Sequence, residues 1–367
     1  MRSLLLVTVA SSVLLTGCAS LPRAPISSQN QTVIPNIPKA RLTTQEITRL
    51  FQASRKPLAI LALSGGGADG SYGAGFLAGW SQTGKRPDFD VVTGSSVGAL
   101  IAPFAFLGAQ HDATLKTMFT TGMANDLLQI AGADAIIGSS VYESGPLREL
   151  ILRFADDTLI EAVAARHRQG KVLIIATTNI DRQSTTLWNM GEIAASTSPR
   201  RQDLFRNVLA ASAAIPGIFP PVLIEVESGG QAYSEMHVDG GVSSNVTPVP
   251  EAVLVTSDSS ARSRLFVIIN GKLNADPAYT ADYTLPIVVR SFQTAVKANT
   301  RNTMIATYAF CRRNNWEFNA TSVDPGVPTP PGLVTFDRKY MKTLYEFGLA
   351  KAAGGRGFER SLTTAAY

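Results

Sequence analysis

Along the chain, short apolar runs of strand length are interleaved with longer stretches in which apolar residues recur every three or four positions. Residues 57–63 (PLAILAL), 90–92 (DVV), 171–181 (KVLIIATTNID) and 265–269 (LFVII) suit buried strands, and 222–226 and 232–238 predict further ones. Helical spacing predicts helices over 42–54, 72–80, 99–106, 157–168, 203–213, 283–313 and 337–353. In the first, Thr43 or Thr44 caps the end, with Ile47, Leu50 and Phe51 along one side. The 99–106 helix is apolar nearly all round and should be buried. Strands and helices in alternation predict an α/β sandwich around a mainly parallel sheet.

The first forty residues break this pattern. A short basic start (Met1, Arg2, Ser3) precedes an apolar run at 4–14 that is too short to span a bilayer. Leu15-Thr16-Gly17-Cys18 follows, which resembles a bacterial lipoprotein signal cleaved before Cys18, with lipid added to that cysteine; an ordinary secretory signal is the plainer alternative. Ala19 and Ser20 come next with no aspartate, so the resemblance implies an outer-membrane lipoprotein facing the periplasm. Residues 19–39, rich in Pro, Ser, Asn and Gln, read as an extended tether. The plan is a signal peptide at 1–17, a tether at 18–41, a catalytic domain at 42–275 and a helical extension at 276–367 that packs on the domain. At 367 residues this amounts to one large domain with trimmings. The second cysteine, Cys311, has no partner if Cys18 carries lipid, so in an oxidising compartment the core alone must hold the fold together. The net charge of +5, or +4 once Arg2 is removed, suits an anionic lipid surface without requiring one. No run of Lys and Arg interleaved with aromatics points to nucleic acid.

Two stretches carry chemistry. After the 90–92 strand, Gly94-Ser95-Ser96-Val97-Gly98 sets Ser96 in a G-x-S-x-G frame. A nucleophilic serine on a strand-to-helix elbow needs glycines at the flanking positions, where side chains would clash with neighbouring elements. The helix that follows turns its free amides and positive dipole end toward the serine. The second stretch, Ser64-Gly65-Gly66-Gly67-Ala68-Asp69-Gly70, is a glycine-rich turn between strand and helix. Its converging amides suit an oxyanion hole, a nucleotide phosphate or no ligand at all. Gly65-x-Gly67-x-x-Gly70 fits the dinucleotide pattern, but Asp88 and Asp90 precede the next strand where an acidic residue should end it.

In this order the two stretches resemble the patatin-like phospholipase family. So do Thr177-Thr178-Asn179 with the paired strand after it, the run at 208–221 (VLAASAAIPGIFPP), Asp239-Gly240-Gly241, and Asn245 with Pro248. The match runs from about residue 57 to residue 270. It implies a three-layer α/β fold and lipid acyl-ester hydrolysis of the phospholipase A or lysophospholipase type. Ser96 would be the nucleophile, Asp239 its base, and the amides of Gly65, Gly66 and Gly67 the oxyanion hole, with Gly70, Gly94, Gly98, Gly240 and Gly241 as motif glycines. It implies no cofactor, and no His, Cys, Asp and Glu have metal-ligand spacing. The sequence departs from the family at Asp69, where a cation is usual. That departure leaves a non-catalytic lipid- or partner-binding lipoprotein as the alternative. Among the histidines, His111 reads as exposed and His167 as a helix-end cation. His237, two residues before Asp239, is the one rival for the role of base.

Overall fold

The computed structural model describes residue 23 and residues 31–52, 56–123, 145–256, 262–328, 336–355 and 357–362. The lipidation candidate Cys18 and the signal region lie outside the described residues. Eight strands form one sheet: β1 (Ala59–Leu63), β2 (Val91–Ser95), β3 (Val172–Asn179), β4 (Ser184–Asn189), β5 (Val222–Ser228), β6 (Gln231–Val238), β7 (Arg264–Ile268) and β8 (Glu317–Thr321). The order is β5-β6-β3-β2-β1-β7-β8, with β4 also paired to β3. The five strands from β3 to β8 run parallel, and β4, β5 and β6 are joined to them antiparallel.

The apolar runs are explained by burial on both faces. In β1, Ala59, Leu61 and Leu63 point into one core, against the helices Gly70–Gln82, Val97–Leu107, Asp157–Arg168, Arg201–Ser212 and Arg338–Ala353. Ile60 and Ala62 point into the other, against Thr44–Gln52, Glu251–Thr256 and Thr284–Arg313. The result is the α/β sandwich around a mainly parallel sheet expected from the pattern, in the three layers the resemblance implies. Counting outward from β1, the chain goes to β2 and β3 on one side and returns as β7 and β8 on the other. The crevice at the carboxyl ends of β1, β2 and β7 is therefore a topological switch point, where such sheets bind ligands.

Two features depart from the sequence reading. Residues 31–41, expected within the tether, are strapped to the sheet: Ile34, Ile37 and Ala40 are buried, and Val33 and Arg41 bridge to Glu227 and Trp188. An apolar pair and one arginine with buried partners outweigh the Pro and Asn around them. The extension after 276, expected to be helical, also supplies β8. There Phe318 and Ala320 alternate with Glu317 and Asn319, so a five-residue strand buries its apolar side in the second core.

Helices Gly70–Gln82 and Arg338–Ala353 cross at backbone contact. A Cβ on Gly75 would stand 2.0 Å from the Tyr345 carbonyl oxygen, and one on Gly348 would stand 2.3 Å from that of Tyr72. Overpacking such a crossing costs roughly 1–3 kcal/mol or more. Gly75→Val should therefore lower Tm by several degrees in a circular-dichroism melt. Gly145→Ala, where the added methyl meets open space, should leave it unchanged.

Candidate active site

The strand register brings two chain ends together. β2 pairs along β3 as far as Ser95 opposite Ala176. β6 runs the other way and pairs with β3 at Thr178 opposite Val238. β4 occupies the far edge of β3 from Ile174 to Asn179, so β2 and β6 share the near edge and meet head to head. The residues that follow them, Ser96 and Asp239, face each other across Thr177.

Ser96 turns the chain from β2 into the Val97–Leu107 helix with φ 53° and ψ −128°. This is a left-handed conformation that a non-glycine residue holds only when its surroundings impose it. The imposing contacts are visible at the flanking glycines. A Cβ at Gly94 would lie 2.5 Å from the Gly98 carbonyl oxygen, and one at Gly98 would lie 2.4 Å from that of Leu63. The Ser96 amide donates to Ser212 Oγ (3.0 Å), whose own hydroxyl donates to the Ala176 carbonyl (2.7 Å). One polar side chain from the 208–221 run thus ties the elbow to β3.

The same run holds the aspartate. The Asp239 amide donates to the Ala214 carbonyl (2.9 Å), and Thr178 Oγ1 donates to the Asp239 carbonyl (2.9 Å). Its carboxylate is buried; Oδ1 accepts from the Gly241 amide (2.7 Å), and Oδ2 has no hydrogen-bond partner of its own. Burial pushes the carboxyl up to about 7, and the neighbouring Ser96 hydroxyl and the Gly241 amide pull weakly against that rise. Gly240 lets the backbone through, since a Cβ there would meet Ser95 Oγ at 2.4 Å.

Across the crevice, the glycine turn is clamped by Asn270 at the end of β7. Asn270 Nδ2 donates to the Ser64 carbonyl (2.6 Å) and the Asn270 amide donates to Ser64 Oγ (2.8 Å). The Asn270 carbonyl oxygen fills the place of a Gly66 side chain, only 1.8 Å from where its Cβ would stand. Gly65 differs from the sequence expectation. Its amide donates to the Asn245 carbonyl (2.9 Å), so it is spent inside the fold and only the amides of Gly66 and Gly67 remain for a ligand. Gly65 does let Asn245 and Ser96 close in, because a Cβ there would meet Asn245 Oδ1 at 2.4 Å and Ser96 Cβ at 2.9 Å. Gly67, at φ 57°, is open on that side, and Gly70 lets Val97 of the elbow helix pack against the turn, with Cγ2 at 2.3 Å from a built Cβ.

Turn, serine and aspartate line one cavity of about 1040 Å³. Its far wall comes from the loop after β7 and from the Thr284–Arg313 helix, with Lys272, Arg290, Lys297 and Arg301 among its side chains. Asp69 accepts a hydrogen bond from the Tyr340 hydroxyl (2.6 Å). Burial raises its carboxyl to about 6, against the pull of Tyr340 and of Lys272 and Lys297. A family model for patatin-like phospholipase matches residues 61–253, more than half of the chain. The chain belongs to the patatin-like phospholipase family. Of the solved structures, VipD from Legionella pneumophila is similar at 14% identity, covering 83% of this chain and 68% of that one with a TM-score of 0.43. The type III effector protein ExoU is similar at 13% identity, covering 83% of this chain and 54% of that one with a TM-score of 0.30. No curated protein sequence matches the chain significantly.

Family membership makes this a lipid hydrolase and places both chemical stretches inside the matched region. The cationic wall and Tyr340 fall outside it. Sequence reasoning missed that wall, although Arg290, Lys297 and Arg301 recur at helical spacing within a helix it predicted. Among the described residues no group of three or more His, Cys, Asp or Glu could hold a metal.

His237 takes no part in the cavity. Its Nε2 faces Glu235 Oε2, an ionised carboxylate oxygen that can only accept, so the ring turns its bare Nδ1 to Thr177 Oγ1 (2.9 Å), which donates to it while accepting from Trp188 Nε1 (2.7 Å). The proton therefore sits on Nε2, 3.4 Å from Glu235 Oε2, and burial lowers the imidazole's pKa. Burial pushes the Glu235 carboxyl up, but His237, Arg41 (2.6 Å) and Thr32 (2.6 Å) bind it and hold it far below the carboxylate range. This network fastens the 31–41 strap to β6. His237→Ala should accordingly lower Tm by several degrees, through roughly 2–4 kcal/mol of lost packing and bonding. Ester kcat/KM of the folded protein should stay within threefold of wild type, measured on a short-chain ester.

Proposed function

We propose that the chain is a serine acyl hydrolase of the phospholipase A or lysophospholipase type, working through a Ser96–Asp239 dyad. The observation that supports this reading most directly is a desolvated, half-satisfied carboxylate held beside a serine on a strained elbow. A carboxylate near pKa 4 is a poor base, whereas one near 7 takes a proton readily at neutral pH. Asp239 Oδ2 removes the Ser96 proton as Oγ adds to the ester carbonyl. The negative charge that develops on the carbonyl oxygen is met by the amides of Gly66 and Gly67 and by the dipole of the Val97–Leu107 helix, about 3 kcal/mol of barrier per good donor. The tetrahedral intermediate then expels the alcohol, which takes the proton back from Asp239 and leaves an acyl-serine. Water enters, gives its proton to Asp239 and attacks the acyl carbon, and the fatty acid leaves as Ser96 is reprotonated.

The cavity exceeds what a small ester needs, and its walls include Ile215, Ile269, Phe292, Val296, Val323 and Val327, a surface suited to acyl chains. The chain joins the membrane, in this reading, through lipid on Cys18, with the domain facing the periplasm from the outer membrane. Among the described residues no helix is long and apolar enough to cross a bilayer. Replacing Cys18 by Ala should move the protein from the membrane fraction to the soluble one, as followed by immunoblot.

A fluorophosphonate probe should label the wild type and fail on Ser96→Ala. No Ser96-dependent adduct on folded protein would favour the non-catalytic, lipid-binding alternative. Asp239→Asn should lower kcat/KM by about 10² to 10⁴-fold. The base must be unprotonated, so kcat/KM should fall as pH drops through about 7 and reach a plateau above it. Stability runs the other way. A carboxyl whose folded pKa lies above its unfolded value binds more protons when folded, so its burial costs stability increasingly from pH 4 to 7 and fully above that. Asp239→Asn should therefore melt higher than wild type at pH 8 while being far less active.

A further inference from the structure

The cavity wall carries charge that the hydrolytic chemistry does not use. Its charged side chains are Asp69, Asp239 and Asp276 facing Lys272, Arg290, Lys297 and Arg301. Asp239 is assigned as the base, and Asp69 is bound by Tyr340 (2.6 Å). Asp276 engages Lys272 (3.0 Å), and its backbone carbonyl accepts from Arg290 (2.6 Å). Lys297 donates to the Asn274 carbonyl (2.8 Å), and among the described residues no carboxylate forms an ion pair with Lys297 or Arg301.

These two cations are aimed by the helix that carries them. Arg290, Lys297 and Arg301 stand at i, i+7 and i+11 of Thr284–Arg313, on one stripe. Within the same turn, Thr300 Oγ1 accepts from Asn245 Nδ2 (2.8 Å), and Asn245 in turn holds the Gly65 amide (2.9 Å) beside Ser96. Val296 reaches to within 3.9 Å of a Cβ built on Gly241. The stripe is thus pinned to the floor that holds serine and aspartate. Burial lowers the pKa of Lys297; attraction to Asp276 opposes it, and weaker repulsions from Arg290, Lys272 and Arg301 add to the fall. Like charges gathered on a part-buried wall repel until an anion sits among them. A guanidinium beside an ammonium is a chemistry suited to phosphate oxygens.

We propose that Lys297 and Arg301 bind the phosphate of the substrate lipid and select phospholipids of net negative charge over zwitterionic phospholipids and neutral esters. This deepens the Ser96 hydrolase reading and rests on it. A cationic head group beyond that phosphate would meet the like charge of Arg290, which bonds the Asp276 backbone carbonyl and not its carboxylate, whereas a glycerol or hydrogen there meets no such penalty. The cation that the family usually carries in the glycine turn is replaced by Asp69, and positive charge reaches the cavity from the opposite wall.

The test measures kcat/KM on phosphatidylglycerol, on phosphatidylcholine of the same acyl chains in the same neutral micelles, and on an uncharged monoacylglycerol. Wild type should prefer phosphatidylglycerol by about tenfold or more, and added salt should shrink the preference. Lys297→Gln with Arg301→Gln should lower the phosphatidylglycerol-to-monoacylglycerol ratio by about 10- to 100-fold, the worth of one or two charge-assisted bonds. Each single substitution should lower it by a smaller factor and is informative if the double variant does not fold. Lys116→Gln, on an exposed surface of another helix, should leave it unchanged. A ratio unmoved in the charge variants, or a wild type that prefers phosphatidylcholine, overturns the proposal. Binding of short-chain phosphatidylglycerol and of inorganic phosphate to Ser96→Ala, followed by calorimetry, separates the remaining outcomes. Lipid binding that weakens about tenfold in the charge variants supports the head-group site even if no substrate is hydrolysed, in which case the hydrolase reading alone fails. Inorganic phosphate bound as tightly as the lipid marks a free-anion site and overturns the head-group assignment.

Discussion

The site depends on two strands meeting head to head along one edge of a third. β2 and β6 arrive at β3 from opposite directions, and there is room for one residue between the last pairing of each. That gap fixes the separation of Ser96 and Asp239 by backbone register, before any side chain is chosen. The segment around Ser212 and Ala214 then holds both ends: Ser212 takes the serine's amide and Ala214 takes the aspartate's. The alanine-rich run that carried part of the family resemblance is the clasp that keeps Ser96 and Asp239 in register.

Holding a carboxylate in this gap opposes folding. Asp239 is buried with one oxygen unpartnered, a state that costs free energy whenever the group is charged. The strained dihedrals of Ser96 add to the cost. Both are sustained because the parallel strands are covered on their two faces by separate cores. The glycine contacts at Gly94, Gly98 and Gly240 allow no relaxation of the backbone around the site. Rigidity and reactivity have one source here, namely backbone packed on backbone with no side chain between.

Much of this was legible in the sequence, and what was not has physical reasons. Apolar runs of strand length marked β1, β2, β3 and β7, because strands buried on both faces cannot hide their composition, while β4 stood out through the family resemblance. β8 escaped because Glu317-Phe318-Asn319-Ala320-Thr321 alternates over only five residues and follows a long helix. The helix limits at 284–313 and 338–353 came within a residue of expectation, the second because Asp337 caps it through the Tyr340 amide. Ser96 stood out in its G-x-S-x-G frame and Asp239 through the family resemblance, but the fate of the Gly65 amide was legible from neither. Whether an amide is free depends on a carbonyl 180 residues away, that of Asn245, which no local pattern reports. The cationic wall was hidden for a similar reason: helical spacing reveals a stripe, while only the fold says what the stripe faces.

The glycine turn, the elbow and the aspartate lie within the family match at residues 61–253, whereas the wall opposite them is built by residues beyond 270. Under the proposals made above, the reaction and the choice of what enters it are written in separate parts of the chain. On that reading, substitutions along one stripe of the Thr284–Arg313 helix would alter selectivity while Ser96 and Asp239 keep their packing and their pinned backbone. Resemblance across the matched region alone, on the same reading, reports the bond that is broken and leaves open which lipid is taken, because the wall that would choose it lies outside the match.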